Sequence, residues 1–385
     1  MNPHSMLTDE NQIKAVESLK RVDNDGYLYY MENSWNYYDL KGPLAAMLDA
    51  GCSTFFAKNT EGEYLMYRNY DYRHNYLNDR STPLTGIDVV CRNNNPAAKY
   101  KSIGCSDAFW LDYKNGNYRN GSADDGKTDV SPFVMIPYIC MDGVNEAGLS
   151  VSIMALIVKA DWKEIDYATY KDVLDPKKTN YKLEKAGEEP DVWARKNDIG
   201  SVAYNDTDKK AWICEKPLVH TDLPGRKTVL HPVLMRMMLD NCANVNEALG
   251  LAGMFNVTAP APGMDFHIMV CDASGNCKVL EWIGNQMNIV DSCHSTNYRL
   301  SADDAFHGRC PRDEALKAGL AIGEKHGLRQ DFGELALRLA VQDPTVTEDM
   351  GKTQYSCIYN LNRKTLKVYS YGNFEHSWNY ALDEK

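Results

Sequence analysis

A chain of 385 residues with 42 Lys and Arg against 53 Asp and Glu carries a formal charge of −11. That acidic balance, with no dense basic cluster, excludes nucleic acid as an expected partner. Hydrophobic residues make up 44% of the chain, enough for a large core, yet no apolar run reaches the roughly 18 residues that span a bilayer.

In chain order, Asp9 with Gln12 predicts a helix start, and Ile13, Val16 and Leu19 give it a short apolar stripe. The segment from Gly26 to Leu40 is crowded with Tyr27, Tyr29, Tyr30, Trp35, Tyr37 and Tyr38, so it must pack on something. Pro43 to Asp49 could add one or two helical turns. Cys52 to Ala57 alternates as a strand and turns through Asn59-Thr60-Glu61-Gly62 into a second, Glu63 to Tyr72. Asn78 to Pro132 is polar, with short strands expected at Gly86 to Cys91 and Ser102 to Cys105. Phe133 to Met141 and Leu149 to Val158 read as a buried pair of strands around the turn from Asn145 to Gly148. Ala160 to Pro190 is charged and reads as a solvated excursion.

Pro232 opens a helix whose face uses Leu234, Met237, Met238 and Cys242, and Val245 to Leu251 forms another. A hairpin, Met264 to Val270 with Lys278 to Ile283, places Cys271 and Cys277 on either side of its turn. They could pair, though two buried thiols are the plainer account. Helices follow at Arg312 to Glu324 and Asp331 to Val341, and Tyr355 to Tyr371 closes the chain as strands around Asn360-Leu361-Asn362. This order predicts α+β architecture with antiparallel sheets and helices outside.

Among eleven cysteines, Cys52 is distinguished by its surroundings. The first hairpin brings Arg68 and Asp71 back beside it, and a fixed guanidinium favours the thiolate that does chemistry. If the chain were cut at Gly51-Cys52, the new α-amine could take the thiol proton and return it to a leaving amine, with Asp71 holding that amine. Cys-Ser-Thr followed by Arg-Asn-Tyr-Asp-Tyr resembles the opening of the choloylglycine hydrolase and penicillin V acylase family of N-terminal-nucleophile amidases, to which acid ceramidase and the penicillin acyltransferases are related. Asp142-Gly143-Val144-Asn145-Glu146-Ala147-Gly148-Leu149, Thr296-Asn297, the hairpin from Phe266 to Glu281 and the tail from Gln354 to Tyr371 are similar to further family elements.

The resemblance implies a four-layer αββα sandwich over 52–385, with 1–51 a propeptide or covering segment. It implies Cys52, Arg68, Asp71, Asn297 and Arg309 as catalytic residues, with Arg312 the alternative to Arg309. Asn297 and the backbone N–H of Ala155 would be the oxyanion donors. The substrate class is a small-molecule N-acyl amide, cleaved through a Cys52 thioester or passed to an acceptor by acyl transfer. No cofactor is implied, and assembly into a homo-oligomer stays open. Alternatives are a Cys-His hydrolase using His267 or His294 and an unprocessed binding protein of the same fold. The nine histidines and eleven cysteines contain no CxxC pair and no HExxH, so no metal site is expected. Met1 to Leu7 lacks a signal sequence and the cysteine spacing is scattered, so the chain as given reads as cytoplasmic, or as secreted or periplasmic if a leader has been removed.

Overall fold

The computed structural model describes residues 9–39, 51–72, 86–111, 121–156, 217–262, 265–302, 310–326, 329–342 and 352–383, with residues 7 and 118 and short strands within 163–214. Nine strands form the larger sheet in the order β1 (Lys20–Arg21), β2 (Leu28–Asn33), β5 (Asp88–Asn93), β6 (Ser102–Asp107), β7 (Cys140–Asn145), β8 (Leu149–Leu156), β16 (Asp265–Asp272), β17 (Cys277–Ile283) and β18 (Gln286–Val290). Six form the second, in the order β19 (His294–Ser295), β3 (Gly51–Lys58), β4 (Tyr64–Tyr72), β20 (Lys352–Asn360), β21 (Thr365–Ser370) and β22 (Trp378–Ala381). Smaller sheets join β10 (Ala194–Lys196), β11 (Gly200–Asn205), β12 (Lys210–Cys214) and β9 (Lys163–Ile165), and β13 (Pro217–Val219), β15 (Asn256–Pro262) and β14 (Thr228–Leu230). Pairing is antiparallel except for β2 with β5 and β14 with β15, and the chain is α+β.

The period of two along a strand sorts the hairpin's side chains onto opposite faces. Cys52 pairs with Tyr70 and Thr54 with Arg68, so these four share a face. That face meets the larger sheet: Thr54 Oγ1 lies 3.1 Å from Ser152 Oγ, and Tyr70 Oη donates to Asp107 at 2.9 Å. The alternate set, Phe55, Leu65 and Tyr67, packs with Leu316, Ala336, Leu337 and Ala340. Leu316 belongs to α4 (Pro311–His326), Ala336 and Leu337 to α5 (Gln330–Leu339), and Ala340 is the C-cap of α5. Gly333 is what lets α5 come this close, because a Cβ there would sit 2.1 Å from the Tyr67 ring.

On the larger sheet, α2 (His231–Asn241) and α3 (Val245–Ala252) pack against β7, β8 and β16. Leu234, Met235, Met238 and Leu239 form the buried stripe of α2, so Met235 stands where Met237 was expected. Asn145 ties this helix to the turn after β7: its Nδ2 donates to the carbonyls of Leu239 and Cys242, while its Oδ1 accepts the N–H groups of Ala147 and Leu149. Gly148 completes that turn at φ +89°, a conformation that costs other residues strain.

One expected strand is corrected. Ser131–Ile139 is a 3-10 helix, and β7 begins only at Cys140. Pro132 and Pro137 have no N–H to give a sheet ladder, and an apolar run by itself does not separate a buried strand from a buried helical turn.

The N-terminal region is part of the larger sheet. α1 (Glu10–Glu17) is capped by Asp9, which accepts from the N–H groups of Asn11 and Gln12. β2 then pairs with β5 along its whole length. Expectations for Pro43 to Asp49 and for most of Ala160 to Pro190 lie outside the described residues. Cys271 and Cys277 are register partners across β16 and β17, and both are free thiols.

Candidate active site

Cys52 is fully buried near the start of β3. Its sulfur accepts from Arg68 Nη2 at 3.0 Å, its N–H donates to Asn297 Oδ1 at 2.9 Å, and its carbonyl accepts from Arg312 Nη1 at 2.7 Å. Sulfur, backbone nitrogen and backbone oxygen are thus each gripped by a different side chain. Burial pushes the Cys52 thiol pKa up, the Asp71 charge adds to this, and Arg68 and Arg312 pull against it.

Arg68 is itself completely enclosed. Nη1 donates to Ser152 Oγ at 2.6 Å, and Nε lies 2.6 Å from Asp142 Oδ2 in an ion pair with both side chains fully buried. Asp142 also accepts from Tyr355 Oη at 2.6 Å and from Tyr359 Oη. Burial opposes the Arg68 charge, but Cys52 and Asp142 outweigh it and hold the guanidinium well above its ordinary pKa. The cation facing the sulfur is therefore permanent.

Asp71 lies on the opposite face of β4, toward α4. Its carboxylate accepts from Thr353 Oγ1 and, at 3.2 Å, from Arg312 Nη1. Burial raises its pKa against the pull of Arg312, Thr353 and Arg68. Arg312, near the start of α4, also donates from Nη2 to Asn297 Oδ1 at 2.7 Å. Asn297 Nδ2 donates to the Ala155 carbonyl at 2.7 Å. A donor on one side and an acceptor on the other fix which way the amide points.

Cys52, Arg68, Asp71, Asn297 and Ala155 are therefore joined by one hydrogen-bonded network through Arg312. Arg309 lies outside the described residues. The Cys52 nitrogen is held by Asn297, while Asp71 holds Arg312. Both ring nitrogens of His267 are taken up elsewhere, Nδ1 by Glu281 at 2.9 Å and Nε2 by the Thr296 carbonyl at 2.8 Å. His294 Nε2 faces Asp313 at 3.2 Å, and among the described residues neither histidine hydrogen-bonds Cys52.

Sequence reasoning found Asp142 only as part of a turn motif and missed that it anchors Arg68. The signal was Tyr355, Cys357 and Tyr359 alternating along one face of a strand. Thr353 and Ser152 left no comparable sign.

No family profile and no curated protein matches the chain. Among solved structures, two variants of the conjugated bile acid hydrolase from Clostridium perfringens are similar at 13% identity. Each match covers 87% of this chain and 93% of that one, with TM-scores of 0.48 and 0.46. Penicillin V acylase from Agrobacterium tumefaciens is similar at 14% identity over 83% of each chain, with a TM-score of 0.40.

Proposed function

We propose that the chain is the precursor of a cysteine N-terminal-nucleophile hydrolase acting on linear amides of the N-acyl class. The observation that carries this is that one buried residue presents its sulfur to Arg68 at 3.0 Å and its nitrogen to Asn297 at 2.9 Å. A structural thiol has no need of a permanent cation. The face-to-face contacts of the two large sheets, with helices packed on each, support a four-layer sandwich.

Activation begins with attack of Cys52 Sγ on the Gly51 carbonyl carbon. The Gly51–Cys52 C–N bond breaks, the thiol proton passes to the departing Cys52 nitrogen, and water cleaves the resulting thioester, leaving the Gly51 carboxylate and a free thiol. The new α-amine then serves as base and acid, since such amines titrate at about 8. In turnover, the thiolate attacks the substrate amide carbon, the amine protonates the leaving amine, and water releases the acid. Arg68 stabilises the thiolate. Arg312, which grips Cys52, Asp71 and Asn297, takes the role expected of the second arginine. Asn297 Nδ2 and the Ala155 N–H are assigned to the tetrahedral oxyanion.

Intact mass of the purified protein tests the reading, with Cys52→Ala as control. A wild-type chain beginning at Cys52, beside an uncleaved control, is the expected result. If the chain keeps 1–51 and limited proteolysis fails to produce a Cys52 that reacts with an acylating probe, an unprocessed binding protein takes its place.

A further inference from the structure

A second buried cluster stands outside the Cys52 network. His220 follows β13, His231 is the first residue of α2 and Asp265 the first of β16, so no local motif announces them. Asp265 Oδ1 lies 2.7 Å from His220 Nε2 and 3.9 Å from His231 Nε2. One donor atom from each of the three falls within 4.8 Å of the others, and all three residues are buried. The second carboxylate oxygen of Asp265 accepts from Arg299 Nη2.

His231 decides how this cluster is understood. Its ring is fully buried, edge-on to Trp282 and His220 at 5.1 Å each. The Thr258 backbone interacts with the ring, while Nε2, 3.9 Å from Asp265 Oδ1, makes no hydrogen bond. A buried imidazole nitrogen left without a partner calls for a cause. An ion network of His220, Asp265 and Arg299 accounts for those three and leaves His231 Nε2, 3.9 Å from Asp265 Oδ1, outside it.

A metal ion accounts for all four. Two imidazoles and a carboxylate are the donor set of zinc-type sites. Bonds of about 2.0–2.1 Å at tetrahedral angles separate donor atoms by about 3.3 Å, and the 2.7 and 3.9 Å separations straddle that value. Arg299 on the outer carboxylate oxygen is the kind of contact that orients a ligand. The other group of possible ligands, Cys105, Asp142 and Cys357, is weaker because both Asp142 oxygens already serve Arg68, Tyr355 and Tyr359.

We propose that His220, His231 and Asp265 bind a divalent first-row transition ion of the zinc type, with an open fourth position. The ion braces the wall beside the Cys52 site. Asp265 pairs with Leu156, next to Ala155, and Arg299 lies two residues beyond Asn297.

The test uses the full chain, stripped with chelator and titrated with Co2+. The expected result is a visible d–d band saturating at one ion per chain, without the intense near-ultraviolet feature of a cobalt–thiolate bond, and displaced by Zn2+. Zn2+ should also raise the wild-type Tm. His231→Asn and His220→Asn, each confirmed folded by circular dichroism, should weaken Co2+ binding by at least the roughly 10- to 100-fold that loss of an outer-shell partner costs. No band in the wild type, a band dominated by thiolate, or a band that survives unchanged in a folded His231→Asn chain would each overturn the proposal. If both variants fail to fold, the wild-type spectrum and its Zn2+ displacement decide alone.

Discussion

Arg68 and Asp142 are an ion pair with no exposure on either side, and this makes the surroundings of Cys52 expensive to disturb. Such a pair is costly to break from one end, about 3–5 kcal/mol, because the remaining charge stays buried. Arg68→Met should therefore lower unfolding stability by about 3–5 kcal/mol in urea, as well as abolishing cleavage at Cys52. Arg68→Met with Asp142→Leu should recover part of that loss, since the stranded carboxylate is gone. A single Arg68→Met costing less than about 1 kcal/mol would show that the pair is solvated or rearranges, and would remove the argument for a permanent cation at the sulfur. This coupling was beyond sequence reasoning. Arg68 stood out as a hairpin neighbour of Cys52, but its partner sits 74 positions away in a motif whose visible logic was a turn.

α4 carries Arg312 into the site, and the next residue fixes that helix in place. Asp313 accepts from Tyr298 Oη at 2.9 Å and Lys317 Nζ at 2.6 Å, and faces His294 Nε2 at 3.2 Å. Hydrogen bonds to Asp313 and Cys293 raise the His294 pKa to about 9, against burial. Burial pushes Asp313 up, but His294, Lys317 and Tyr298 more than reverse it, to about 2. The raised histidine contributes stability that is full below its unfolded value of about 6.5 and lost as pH rises through 9; the depressed carboxylate contributes above its unfolded value of about 3.9 and loses this as pH falls through 2. Both contributions are present from about pH 4 to 6.5. With discount for partial exposure, the wild-type Tm should fall between pH 6.5 and 9 by on the order of 1–2 °C more than that of His294→Gln. Parallel Tm profiles for the two would sink the assignment. Elements of this kind were legible in the sequence where a periodic stripe and a terminus signal agreed. The helices expected at Arg312 to Glu324 and Asp331 to Val341 are found at Pro311–His326 and Gln330–Leu339. Where prolines interrupt an apolar run, as between Phe133 and Met141, the period failed. Arg312 ranks second to Arg309 in the sequence because nothing in so short a run shows that its side chain reaches Cys52, Asp71 and Asn297.

At the scale of the whole molecule, the question is what becomes of the segment before Cys52. Sequence composition shows that its aromatics must pack, without showing on what. The structure places them: Tyr29, Met31 and Tyr37 have no exposed surface, and Tyr37 Oη donates to Asp240 at 2.7 Å. Trp35 Nε1 donates to the Val134 carbonyl, and Arg21 pairs with Asp124. Removing 9–39 would forfeit about 1.5–3 kcal/mol for each large apolar side chain exposed and leave the edge of β5 unpaired and open to other chains. Cleavage at Gly51-Cys52 should therefore leave the N-terminal piece in place as a non-covalent partner. Gel filtration of processed protein should give one peak containing both pieces, separated only under denaturing conditions. Met31→Asp, which puts a charge in the middle of the β2 interface, should release the piece or prevent folding before cleavage. If the fragment instead separates from processed wild type without denaturant, the contacts of β2 with β5 do not outweigh the freedom gained, and the segment is a dissociable propeptide.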